Sequence, residues 1–271
     1  MHLKRWITGL SALPFLIYII YKGGLFFTLF IGLVALIGLW EYFRVTLSRD
    51  DSPSALVMKI LAYLYVIPFM WSAHHLSAAY ILNSVAGCFW LTGVVSVLLF
   101  KQDQQIFETA KKQLFGMLYV PLLLSDLVLV RNGSDSQGAV WILFILVVVF
   151  LGDVGALYAG TFFGKHKLYP ALSPKKTIEG SLGGLSANIL CGGLFKLFFL
   201  PDLSWGVSLL FFISLGIAGQ IGDLFESGLK RVADIKDSGG ILPGHGGILD
   251  RLDSLITASV AALGIGLLHS G

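Results

Sequence analysis

Runs of about 20 apolar residues, each the length of one bilayer crossing as a helix, recur along most of this 271-residue chain. They fall at roughly 6–22, 24–43, 56–73, 78–100, 114–130, 140–163, 178–199, 205–229 and 249–268, about nine in all. Backbone amides in hydrocarbon must be satisfied within their own segment. No alternating strand pattern points to a barrel, so the expected fold is all-α, a polytopic integral membrane protein with about nine transmembrane helices. Composition agrees: the chain is 56% hydrophobic and only 13% charged, with a mean hydropathy of +0.82, outside the range of soluble domains.

Lys4 and Arg5 precede the first run in the manner of a signal peptide, but no cleavage site of small residues follows, and the run reads as a retained span. Cys88 and Cys191 sit in apolar surroundings and offer neither a disulfide framework nor a metal-binding pair. A net charge of +3 gives no support to nucleic-acid binding. The placement of cations is more informative. Lys and Arg mark cytoplasmic loops, and an N-terminus inside puts all but Lys22, Arg131 and Lys196 on that side. An odd number of spans then leaves the C-terminus outside, in the periplasm of a bacterial cytoplasmic membrane. Short outer loops contrast with two longer inner stretches, 164–177 and 230–250.

The last third concentrates charge in a chain otherwise almost free of it. Asp223, Glu226 and Lys230 are spaced i, i+3 and i+7, and Asp250 and Asp253 are spaced i, i+3, so each set shares one helix face. A carboxylate in the inner half of a span is costly unless it is paired, bound to metal or facing water. Two such faces at the cytoplasmic ends of successive spans suit a hard divalent cation, for which oxygen ligands are preferred. The alternative is that Asp223 pairs with Lys230 or Arg251 and merely joins two helices. Between the spans, glycines at 239, 240, 244, 246 and 247 permit close backbone approach to phosphate oxygens, with Pro243 and His245 among them. Ahead of the seventh span, Ser173, Lys175, Lys176 and Thr177 combine hydroxyls that can cap a helix with ammonium groups that attract phosphate. Glu179, one turn into that helix, complements its positive end.

Read together, Ser227, Lys230, Arg231, Lys236, Asp237, Pro243, His245, Gly246, Gly247, Asp250, Arg251 and Asp253 form an ungapped pattern that resembles the phosphatidate cytidylyltransferases. Asp153 and the 173–179 segment are similar in kind, whereas residues before about 140 match in hydrophobicity alone. The resemblance implies transfer of CMP from CTP to phosphatidic acid, giving CDP-diacylglycerol and pyrophosphate at the surface of the lipid bilayer. It implies that Asp223, Lys230, Asp250 and Asp253 carry catalysis, and that Asp223, Asp250, Asp253 and Glu226 hold Mg2+, with place for a second cation. Ser173, Lys175, Lys176, Thr177, Arg231, Lys236, His245, Gly246, Gly247 and Arg251 would bind the substrates' phosphates. The role of Asp153 stays open between this site and helix packing. On this reading residues 1–135 are N-terminal transmembrane helices and 136–271 are the catalytic region, and the family analogy extends to a homodimer.

Other chemistries find less support. The 160–166 segment falls one spacer short of a phosphate-binding P-loop and lacks its final hydroxyl, and no metalloprotease or serine-hydrolase motif is present. A CTP-dependent polyprenol or phytol kinase is the nearest rival, disfavoured by the uninterrupted motif. A cation-coupled transporter using Asp153, Asp223 and Lys196 would place its sites near the midplane, and it lacks a detectable sequence repeat.

Overall fold

The computed structural model describes residues 13–48, 50, 52–134, 137–235, 237–240 and 246–270. Within them the long elements are helices, joined by short connections and one small hairpin. The helices are α1 (Leu13–Lys22), α2 (Gly24–Thr46), α3 (Pro53–His74), α4 (Ala78–Leu99), α5 (Ile106–Met117), α6 (Leu123–Gly133), α7 (Gly138–Phe163), α8 (Ile178–Phe199), α9 (Trp205–Val232) and α10 (Leu249–Ser270). Among the described residues seven helical segments are long and apolar enough to span a membrane, with α5, α6 and the turn between them counting as one of 28 residues. The remaining two expected spans differ in kind: α1 is described only from Leu13, residues 1–12 with Lys4 and Arg5 lying outside the described residues, and α10 is not among the seven.

The chain divides into two compact units. The first holds residues 1–133 together with 235–250, and the second holds 134–234 together with 251–271. In the first, α5 and α6 are joined by a π-helical turn at Leu118–Leu122 that contains Pro121. Proline has no amide to donate, and a widened turn accommodates the missing hydrogen bond. Tyr42, on α2, donates its phenol proton to the carbonyl of Lys112 (3.0 Å) and packs its ring over Gly116, fixing α2 against α5. Arg131 donates to the carbonyls of Ile20 (2.6 Å) and Tyr21 (2.9 Å), satisfying the last turn of α1.

In the second unit, one end of the helix layer is filled by Trp141, Phe144, Phe195, Phe211 and Phe212, with ring centroids 5.2–6.1 Å apart for the pairs that Phe144 and Phe211 make. Further along, α7 and α8 pack through small residues. A Cβ on Gly155 or Gly183 would run into Ala187 or Ala159 of the facing helix. Without a hydrophobic driving force between helices in lipid, such close backbone approach is what holds them together. The 164–177 connection is not an open loop: β1 (Lys167–Tyr169) and β2 (Ser173–Thr177) pair antiparallel, with Lys167 opposite Thr177 and Tyr169 opposite Ser173. Gly155→Val is expected to lower the thermal midpoint of the detergent-purified protein through overpacking of about 1–3 kcal/mol. Gly93→Val, where a Cβ meets nothing within 4 Å, should change it little; equal midpoints for the two variants would contradict the packing.

Candidate active site

Polar side chains gather in each unit. In the second, β2 delivers Lys176 to α9, where its ammonium lies 2.5 Å from the Asp223 carboxylate, both groups being partly buried. Asp223 therefore pairs with the hairpin. Lys230 pairs one turn back along its own helix, 2.6 Å from Glu226, whose side chain is 1% exposed. Gly222 clears the way for the next helix, since a Cβ there would overlap the Asp253 carbonyl. Thr257 donates to the Ala218 carbonyl (2.7 Å), and these contacts set α10 against α9.

The consequence is that Asp253 stands within electrostatic reach of Asp223, Asp153 and Lys230. Asp153, from α7, is near Asp223, Lys176 and Arg251, with the Ser254 hydroxyl alongside. Asp253 is itself buried and accepts the Ser254 amide (2.7 Å). Three helices and one hairpin thus contribute three carboxylates and three cations to one region. Among the described residues, no three His, Cys, Asp or Glu stand close enough to hold an ion as they are. The donors are all oxygens, the set that a hard cation prefers.

The hairpin carrying the basic residues is fixed at several points. Thr177 accepts the Gly180 amide (3.1 Å) and caps α8, as its position before the helix predicts. Glu179 does more than complement the helix end: it accepts the amides of Lys165 (3.0 Å) and His166 (3.1 Å) and bonds the His166 ring (2.6 Å). Arg231 donates to the Leu172 carbonyl (3.3 Å), tying the hairpin to α9 a second time. Lys175 is exposed and Ser173 half-buried on β2.

In the first unit, the described ends of the glycine-rich segment, 237–240 and 246–250, meet at Asp250. Asp250 accepts the amides of Gly247 (2.8 Å) and Ser238 (3.1 Å), and Gly246 adopts a left-handed φ of +83°. Lys236 and His245 lie outside the described residues. One acidic residue that escaped sequence reasoning also belongs here. Glu41, on α2, is completely buried and accepts the Leu249 amide (2.7 Å) and the Ser238 hydroxyl (3.3 Å). Its signal was present, since it is the lone carboxylate of a largely apolar helix that also carries Arg44, and ionisable groups in such helices are rarely idle.

A profile of the cytidylyltransferase family matches residues 3–266. The chain belongs to the cytidylyltransferase family. Among cytidylyltransferase relatives, the phosphatidate cytidylyltransferase of Staphylococcus epidermidis is 36% identical over 252 residues, covering 93% of this chain and 94% of its own. Those of Staphylococcus aureus (35% over 254 residues, 93% and 94% covered) and Bacillus subtilis (31% over 253 residues, 93% of each) are similar along the same length. The match therefore takes in the N-terminal helices as well as the motif.

The Lys176–Asp223 pair is open to a direct check. Lys176→Gln and Asp223→Asn should each destabilise this cytidylyltransferase, and the double variant should cost less than their sum by about 0.5–3 kcal/mol. Additive losses in denaturant unfolding would mean that the pair contributes nothing to the fold.

Proposed function

We propose that this chain transfers CMP from CTP to phosphatidic acid, forming CDP-diacylglycerol and releasing pyrophosphate, at the cytoplasmic face of a bacterial membrane. What carries the reading is the ungapped pattern from Ser227 to Asp253, together with relatives named phosphatidate cytidylyltransferase that match 93% of the chain. The seven long apolar helices agree with an acceptor that is a lipid.

The chemistry needs little covalent help. A phosphate oxygen of phosphatidate, already ionised at neutral pH, attacks the α-phosphorus of CTP while the bond from that phosphorus to the bridging oxygen of pyrophosphate breaks. No general base is required to make this nucleophile. Catalysis is then a matter of holding two polyanions in line and offsetting their charge. In this proposal Lys230 and Arg231 contact phosphate, as do Lys236, Arg251, and the hairpin groups Ser173, Lys175, Lys176 and Thr177, while His245, Gly246 and Gly247 line the triphosphate. Asp223 and Asp250, with Asp253 and Glu226, hold Mg2+ and leave place for a second cation. Bound there, the ion would neutralise charge on the triphosphate. The partly buried Lys176 beside Asp223 supports a region built to hold positive charge against carboxylate.

The same reading gives nine spans, with the first and last completed by α1 and α10, the N-terminus in the cytoplasm and the C-terminus in the periplasm. It keeps residues 136–271 as the catalytic region and 1–135 as supporting helices, and extends to a homodimer.

Purified protein given labelled CTP, phosphatidate and Mg2+ should yield labelled CDP-lipid and pyrophosphate, and a chelator should stop the reaction. Asp223→Asn and Asp250→Asn should each cut turnover about 100-fold or more, the scale of losing one electrostatic stabiliser of a transition state, while the protein stays folded and inserted. No labelled lipid under conditions that support a known enzyme would overturn the assignment, and near-normal rates in either variant would overturn the metal set.

A further inference from the structure

We infer that Glu41 is a positioning residue for the transfer reaction: its buried carboxylate clamps residues 238–240 and 246–250, the strap, and holds Asp250 and the amides of Ser238 and Gly247 in working register. The inference rests on the proposed function, in which this strap receives the triphosphate.

The two bonds span most of the chain. Glu41 Oε2 accepts the amide of Leu249, 208 residues away, at 2.7 Å, and the hydroxyl of Ser238, 197 residues away, at 3.3 Å. The carboxylate is 0% exposed. A charge in an apolar helix is expensive unless it is used, and here it binds the two ends of one loop. Leu249 is the first residue of α10, so the negative charge also sits at the positive end of that helix.

Asp250 grips the strap from within, by accepting the amides of Ser238 and Gly247. Ser238 is therefore held twice, its hydroxyl by Glu41 and its amide by Asp250. The orientation of the Asp250 carboxylate depends on Ser238 staying in place. Two glycines confirm that the strap is shaped around Glu41. A Cβ on Gly239 would overlap Glu41 Oε1, and one on Gly247 would overlap the Ser238 hydroxyl and Glu41 Oε2. Glycine at 239 and 247 thus has a reason independent of phosphate: a side chain there would push the strap off its clamp.

The substitution series separates positioning from bulk stability. Glu41→Gln keeps a carbonyl oxygen that can accept both bonds, while Glu41→Ala removes the acceptor. In the Ala variant kcat should fall by about 100-fold or more, with the KM for CTP changing less, whereas the Gln variant should stay within about 10-fold of the parent. A second readout does not depend on activity. Amide hydrogen exchange of the full-length protein, followed by mass spectrometry, should quicken at least about 10-fold in the strap of Glu41→Ala and of Gly247→Ala, with peptides from α7 and α8 unchanged. Ser238→Ala, which removes only one hydroxyl, should give the same exchange signature more weakly and serves if Glu41→Ala does not fold. Unchanged strap exchange in these variants would overturn the clamp whatever the activity, and faster exchange with full kcat would overturn its role in positioning. Absent transfer in the parent protein, with strap exchange responding as expected, would instead refute the proposed function and leave the clamp intact.

Discussion

A carboxylate inside a membrane-spanning helix is costly without a donor or a counter-charge, and several connections of the structure follow from how Asp223, Glu226, Asp253 and Glu41 meet that need. Asp223 takes Lys176, which draws the 167–177 hairpin onto α9. Glu226 takes Lys230 from its own helix, Asp253 takes the Ser254 amide, and Glu41 takes a hydroxyl and an amide from the strap. Connections that hydropathy would leave as loose loops are in this way fastened to the helices they adjoin. The acids do not decorate a scaffold formed without them.

Small residues supply the complementary requirement. Lipid gives apolar helices no reason to prefer one another over their surroundings, so α7 and α8 associate where glycine and alanine let their backbones meet. Gly222 does the same for α9 and α10, and thereby brings Asp253 toward Asp223. Packing residues and charged residues alternate along the same helices, and close approach is what lets the charged groups of different helices interact.

Much of this was legible in the sequence because hydropathy over a helix length is a strong signal. The run expected at 178–199 is α8 to the residue, and the one at 205–229 is α9 with an extra turn. The span expected at 114–130 begins earlier, at Ile106, because α5 carries Glu108, Lys111 and Lys112 and reads as a loop in an apolar window. The hairpin was missed for a different reason: a strand of three residues is too short to show alternation. Within the charged region, local spacing exposed what lies on one helix face, including Asp223, Glu226 and Lys230. It could not reveal that Asp223 would choose Lys176, 47 positions away, or that Glu41 would reach Ser238 and Leu249. Partners separated by whole helices leave no periodicity.

In the proposed reaction the lipid phosphate attacks the α-phosphorus of CTP directly, with no covalent nucleotidyl intermediate on the protein. The configuration at that phosphorus tests it. With CTP made chiral at the α-phosphorus by sulfur substitution, one in-line displacement predicts inversion in the CDP-lipid formed. Retention would require two successive displacements, and would contradict an account in which carboxylates, lysines and backbone amides only hold and neutralise the reacting groups.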